Sequence, residues 1–138
     1  MRKAIASILA SSLAVLAPGA ARAETSLTCM YMLMRVYHAE YEACHVALPK
    51  DREDRYSRMR TGLEKFIRAN AKQDPEKILA GIENDNIKRA LAGLKSCQSD
   101  DFKFAQQAME RLTTPDNEKM ITNTLNIPRD PQTGDCSG

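Results

Sequence analysis

The apolar positions between residues 26 and 48 recur at helical spacing. Successive members are four, three, four, three and four residues apart, which is the buried stripe of an amphipathic helix. Thr25 or Ser26 can cap the start of this helix, and Pro49 is expected to end it. The pattern predicts a first helix with one buried face. Its members are Met30, Met34, Tyr37, Tyr41, Cys44 and Leu48.

A second helical stripe lies within residues 51–70, where charged residues fill the remaining positions. Acid and arginine pairs four residues apart, such as Asp51 with Arg55, are typical of a solvent-facing helix surface. The buried face is expected to consist of Tyr56, Met59, Leu63, Phe66 and Asn70.

Start signals for three further helices follow. Asp74–Pro75, Ser99 and Thr114–Pro115 each place a capping side chain before a helical segment, twice with proline at the first helical position. Gly81 and the polar run 83–86 weaken the middle of the segment after Asp74. That segment is therefore expected to form one bent helix or two short ones.

Residues 1–23 have the pattern of a secretory signal peptide. Arg2 and Lys3 form a positive start, residues 4–17 an apolar stretch, and Ala21–Ala23 a small-residue cleavage site. The apolar stretch is shorter than the roughly 20 residues needed to span a bilayer, and no later segment approaches that length. We expect export to the bacterial periplasm, with an extracellular destination as the alternative, and no membrane span.

Four cysteines follow this segment. An even number of cysteines in a small exported domain predicts two disulfides. Cys29 and Cys44 lie about 22 Å apart if both are on the first helix, whereas a bridge requires Cα atoms within about 7 Å. In an up-and-down bundle, Cys97 returns to the end of the first helix that carries Cys44, and the tail returns to Cys29. The predicted bridges are Cys44–Cys97 and Cys29–Cys136.

Together these patterns predict an all-α fold. No segment alternates β-branched and polar residues at a period of two, so no sheet is expected. Residues 126–138 contain two Pro and two Gly and are expected to form an irregular tail. The expected architecture is a small disulfide-stapled bundle of four to five short helices after a cleaved signal peptide, with residues 24–138 as a single helical domain.

One stretch of the first helix resembles a covalent haem site in spacing. Cys44 and His45 are the last two residues of a Cys-x-x-Cys-His motif in which Tyr41 stands where the first cysteine would be. A Cys44 that is bridged to Cys97 cannot form a thioether, so no haem and no other cofactor is expected.

The same helix is rich in methionine and histidine, which suit copper in an oxidising compartment. The candidate metal ligands are Met34 and His38, completed by a side chain such as Met59 or Met109 from another helix. The alternative is that these methionines fill the core.

The second helix carries an arginine-rich face formed by Arg52, Arg55, Arg58 and Arg60. Arginine is favoured at protein interfaces, so this face is a candidate partner-binding surface. The alternative is a solvated helix surface on which neighbouring acids weaken the positive electrostatic field of the arginines.

Removal of three basic residues with the signal peptide lowers the formal charge from +2 to −1, which offers little attraction for nucleic acid.

The sequence contains no recognisable catalytic constellation. Glu40 and Glu42 are about 200° apart around a helix and are poor candidates for a paired acid and base, and the other acids are expected to be solvated. The leading hypothesis is a non-enzymatic protein that binds another exported or envelope protein, as an inhibitor, an immunity factor or an assembly factor. The alternatives are copper or metal binding and a small hydrolase with carboxylates converging in a cleft. Dimerisation through a partly exposed stripe is a further alternative.

Overall fold

The computed structural model describes residues 24–136, so the predicted signal peptide of residues 1–23 lies outside the described residues. A π-helical turn, Ile82–Asn86, joins the third and fourth α-helices into one continuous helical segment. Residues 24–136 thus form an all-α bundle, as predicted, with five helical segments. The α-helices are α1 (Leu27–Ala43), α2 (Lys50–Asn70), α3 (Pro75–Gly81), α4 (Ile87–Gly93), α5 (Asp100–Leu112) and α6 (Pro115–Leu125).

The predicted start signals coincide with helix starts. Ser26, rather than Thr25, caps α1 by accepting a hydrogen bond from the Cys29 amide at 3.2 Å. Asp74 Oδ1 accepts from two amides at the start of α3, and Ser99 and Thr114 cap α5 and α6 in the same way. These side chains fix the helix boundaries because each satisfies an amide that the helix itself leaves without a partner.

Helix α1 ends at Ala43, earlier than the predicted stop at Pro49. His45 adopts a left-handed conformation, with φ of 53°. Its amide donates to the Glu42 carbonyl, and the Val46 amide donates to the Tyr41 carbonyl. This pair of bonds is a Schellman motif, which usually contains glycine at the position of His45. The stop was missed because the glycine signal is absent.

The π-helical turn explains the weak middle of the third predicted segment. Two apolar side chains of this segment, Ile82 and Ile87, are five residues apart and both are buried. The Ile87 amide donates to the Ile82 carbonyl, which is the i to i−5 bond of a π-turn. The extra residue keeps both side chains on the core side of the segment and directs Glu83 toward α1.

Helix α1 lies at the centre of the bundle, where it contacts α2, α4 and α5, while α2 also packs on α6. The predicted stripe of α2 is buried except for Asn70, which is half-buried. Of the predicted stripe of α1, only Met34 and Tyr41 are buried, and the other four members are half-buried. Leu27 and Tyr31, outside that stripe, are buried instead. The largest fully buried side chains of this core include Tyr31, Met34, Tyr56, Leu63 and Met109.

Both predicted disulfides are present. Cys44 and Cys97 have Cα atoms 5.6 Å apart, and Cys29 and Cys136 have Cα atoms 5.5 Å apart. The bridges connect the two ends of α1 to separate parts of the chain. Such bridges indicate a non-cytoplasmic protein. No helix among residues 24–136 is long and apolar enough to cross a membrane.

The segment after α6 is irregular, as predicted, and is fastened to the start of α1. The Ser26 amide donates to the Asp135 carbonyl, and the Asp135 amide donates to the Glu24 carbonyl, each at 3.0 Å. Gly134 has φ of +107°, and a Cβ atom built there would lie 1.9 Å from the Glu24 carbonyl oxygen. Only glycine fits this close approach of the two chain segments.

Candidate functional site

A groove runs between α1 and α5 on the outside of the bundle. Two cavities, of about 330 Å³ and about 270 Å³, lie along it; Tyr37 lines both, and α4 also lines the larger one. We call it the α1–α5 groove. Its residues are Thr25, Met30, Leu33, Tyr37, Glu40, Arg89, Ala90, Gly93, Leu94, Asp101, Phe104, Ala108, Arg111 and Leu112.

The larger cavity contains a buried acidic side chain, Glu40, which is only 7% exposed. Its Oε2 atom is buried and has no hydrogen-bond partner in the described part of the chain. Burial disfavours the charged carboxylate and raises the pKa of Glu40 above its ordinary value, and the like charge of Asp101 raises it further. A buried acid without a partner costs folding free energy, so the groove holds an unsatisfied acceptor.

Two aromatic rings flank this acid. The rings of Tyr37 and Phe104 meet edge to face with centroids 6.0 Å apart. Tyr37 packs against the core, whereas Phe104 is 59% exposed, the second most exposed large apolar side chain among the described residues after Ile127. Burial, followed by the charge of Glu40, raises the pKa of the Tyr37 hydroxyl. The acid therefore lies beside apolar ring surface.

The smaller cavity is the apolar half of the groove. Its walls are Met30 and Leu33 of α1 and Ala108 and Leu112 of α5, with Thr25 at one end. An apolar recess next to a buried acid is a combination that suits an amphipathic ligand.

The charged residues of the groove lie at its two ends. Asp101 and Arg89 line the larger cavity with Glu40, and Arg111 lines the smaller one. All three are exposed. Neither Asp101 nor Arg89 forms an ion pair within residues 24–136, and Arg111 forms none there either. These charges are free to meet a ligand.

The opposite face of α1 carries a polar network in which the buried charge is satisfied. Arg35 donates to both carboxylate oxygens of Glu83, at 2.6 and 2.9 Å, and to the Tyr56 hydroxyl at 2.7 Å. The Tyr31 hydroxyl donates to Glu64 at 2.8 Å. The hydrogen bond to Glu83 raises the pKa of Arg35 and lowers that of Glu83. The expectation that all such acids are solvated is wrong for Glu64 and Glu83, which are half-buried.

The predicted metal ligands lie on the same network side of α1. The Met34 side chain is fully buried in the core. The His38 ring stacks on Tyr56 at 4.0 Å, and its Nε2 lies 3.0 and 3.1 Å from the two oxygens of Glu53. Within the described residues, no group of three or more His, Cys, Asp or Glu side chains is arranged to hold a metal ion. Copper or zinc binding at Met34 and His38 stays a prediction.

The four predicted partner-binding arginines all make contacts within the protein. Arg52 Nη1 donates to the Glu110 carbonyl at 2.8 Å, and Arg55 Nε donates to the Thr113 carbonyl at 2.7 Å, so both satisfy the C-terminal end of α5.

Arg58 binds both oxygens of Glu118 on α6, and Arg60 donates to Glu64 at 2.9 Å. The contacts of Arg52, Arg55 and Arg58 join α2 to the α5–α6 corner and give the arginine-rich face a structural role, whereas Arg60 pairs within α2. Its role in partner binding stays a prediction.

Glu40 is the main residue that the sequence analysis missed. Residues 30, 33, 37, 40 and 44 lie at steps of three or four along α1, so Glu40 occupies a position of an apolar stripe. A charged residue at such a position was the available signal. The groove partner α5 was predicted as a helix, but its register against α1 could not be.

Comparison with known proteins finds no matching protein-family model, no matching curated protein and no matching solved structure. The geometry of the groove is therefore the evidence for its function.

Proposed function

We propose that this protein is exported to the bacterial periplasm and acts without catalysis by binding another exported or envelope protein through the α1–α5 groove. The inhibitor, immunity and assembly-factor roles all belong to this class. Export is supported by the signal-peptide pattern of residues 1–23 and by two disulfides.

The observation that carries the proposal is the buried Glu40 carboxylate with an unsatisfied oxygen beside the exposed Phe104 ring. Both features are unfavourable for an isolated protein, because each leaves a group in an environment that suits it poorly. A bound partner would correct both at once by supplying a donor to the acid and covering the ring. Costs of this kind are typical of binding sites, where stability is given up for function.

Site-specific photocrosslinking in the periplasm tests this proposal. A benzophenone amino acid at Phe104 or Ala108 in the groove should capture one discrete exported protein, identifiable by mass spectrometry. Matched positions at Ala69 on α2 and Ala80 on α3 are exposed and lie outside the groove. Equal capture at all four positions, capture only at the two control positions, or no capture would contradict the proposal.

A small hydrolase is the second candidate, because Glu40 and Asp101 line the same cavity in different environments. One acid is buried and has a raised pKa, and the other is exposed. Such pairs can serve as general acid and base. Hydrolysis of cell-wall glycan or chromogenic glycosides that is lost in both Glu40→Gln and Asp101→Asn would establish this function and displace the binding proposal.

A further inference from the structure

We infer that the segment received by the α1–α5 groove presents a lysine or arginine side chain to Glu40, with an apolar side chain beside it in the Met30–Leu33–Leu112 recess. The inference rests on the proposed function and specifies the chemistry of the partner.

The end of the groove that holds Glu40 is negatively charged and lacks a hydrogen-bond donor to the buried oxygen. Glu40 Oε2 is buried with no hydrogen-bond partner, and Asp101 adds a second negative charge to the same cavity. Arg89 is the one cation among the residues that line this cavity, and it is exposed. Two acids against one cation leave this end of the groove negative. An ammonium or guanidinium group supplies only donors, which is what a carboxylate needs.

The walls beside Glu40 are aromatic. Tyr37 and Phe104 present ring surface next to Glu40. Aromatic faces attract cations, and the long methylene stems of Lys and Arg pack well on such rings while the charged end reaches an acid. A neutral polar side chain would satisfy the acid but would use the ring surface less well.

The other part of the groove is an apolar recess with a basic residue at its far end. The recess lined by Met30, Leu33, Ala108 and Leu112 takes a large apolar side chain. Arg111 lies at this end, about 15 Å from Asp101 along α5 at the helical rise of 1.5 Å per residue. The matching segment therefore has its basic residue at one end and accepts an acidic residue at the other.

A peptide-display selection on the oxidised protein purified from the periplasm tests the inference. Enriched peptides should share a Lys or Arg close to a large apolar residue. They should bind the wild-type protein about 10-fold or more tightly than they bind Glu40→Gln. The matched control is Glu42→Gln on the exposed side of the same helix, which should retain wild-type affinity.

The outcomes separate the two proposals. Peptides that shift the NMR signals of α1 and α5 but lack a basic residue, or bind Glu40→Gln as tightly as wild type, overturn the inference and leave the groove as a docking surface. Failure to select any peptide that shifts those signals overturns both. Binding of a second copy of this chain in the groove, seen as a dimer by sedimentation that Phe104→Ala abolishes, also overturns the inference. Thermal melting of Glu40→Gln at or above the wild-type temperature shows that lost binding is not lost folding.

Discussion

Helix α1 buries one charged side chain on each of two faces. The fold provides hydrogen-bond partners for one of them and none for the buried oxygen of the other. Arg35 is 8% exposed and makes hydrogen bonds to Glu83 and Tyr56. Glu40 is 7% exposed, and its buried oxygen makes none. Burial alone therefore does not distinguish a structural charge from one held for a ligand.

The two buried charges differ in whether the fold supplies a hydrogen-bond partner. On the network face, the π-helical turn brings Glu83 to Arg35, so the fold itself supplies the partner. On the groove face, α5 brings Phe104 and Asp101 into the cavity of Glu40 and α4 brings Arg89, but none of them donates a hydrogen bond to the buried Glu40 oxygen. A buried charge that the fold leaves without a partner marks the face where a partner is expected.

The largest expected effect is the loss of the network. Arg35→Met removes the cation and leaves Glu83 and Tyr56 without their donor, so we expect the free energy of unfolding to fall by about 3 kcal/mol. Urea denaturation measures this change. Lys88→Met, at an exposed position on α4 without an ion pair among the described residues, is the control and should stay within about 0.5 kcal/mol of wild type. Equal effects of the two changes would remove the distinction between the faces.

Replacement of Glu40, the buried acid of the groove, should have the opposite effect on stability. Glu40→Gln removes a buried negative charge that has no partner, so we expect the protein to become more stable by about 1–2 kcal/mol. The gain should appear in both urea and thermal denaturation. Glu42→Gln, two residues further along α1, loses only an exposed contact to His38 and should change the free energy of unfolding by no more than about 0.5 kcal/mol. Destabilisation by Glu40→Gln would mean that the carboxylate has a partner within the fold.

The pH dependence of stability should differ between the two faces. The folded pKa of Glu40 is raised, so its unfavourable contribution is present at neutral pH and disappears as the pH falls toward 4.5, its ordinary value. The folded pKa of Glu83 is lowered by Arg35, so its favourable contribution is present above 4.5 and is lost as the pH falls through the folded value.

Urea denaturation of wild type, Glu40→Gln and Glu83→Gln between pH 7 and 3 separates the contributions of the two acids to stability. The stability of wild type relative to Glu40→Gln should rise on acidification, and relative to Glu83→Gln it should fall. Asp101 and Arg89 line the cavity with Glu40 and are unchanged in all three proteins. Slopes of the same sign would contradict the comparison.

The smallest effect on stability is expected at the rim of the groove. Phe104 is largely exposed, so Phe104→Ala should change the free energy of unfolding by no more than about 0.5 kcal/mol. The same change should abolish capture of the partner by a crosslinker at Ala108. Met120→Ala, at a similarly exposed apolar residue on α6, should leave both quantities unchanged. Loss of capture in both variants would show that exposed apolar surface in general, and not the groove, is recognised.

Features set by local chemistry could be predicted from the sequence. The caps at Ser26, Asp74, Ser99 and Thr114 act within one helical turn, and the disulfide pairing follows from helix length and an alternating chain direction. The end of α1 could not be predicted, because His45 takes a conformation that usually signals glycine.

The candidate site depends on how distant segments of the chain pack together, so it could not be predicted from the sequence. Glu40 and Asp101 are 61 positions apart in the sequence, and their shared cavity depends on how α5 lies against α1. The docking of Arg52 and Arg55 on the last carbonyls of α5 has the same origin. A charged residue within an apolar stripe indicates a buried charge. It does not indicate whether the fold or a ligand supplies the hydrogen-bond partner of that charge.

The order of the cysteines along the chain has a consequence for maturation. The bridges are nested: Cys29 pairs with Cys136, and Cys44 with Cys97 between them. A chain that emerges N-terminus first into an oxidising compartment exposes Cys29 and Cys44 together, long before the proper mate of either. Oxidation in order of appearance joins these two while the segment is still unfolded, and such a crosslink is incompatible with a helical α1. For an exported chain, we therefore expect correct assembly to need thiol exchange that undoes the early crosslink, as well as the oxidant that makes it.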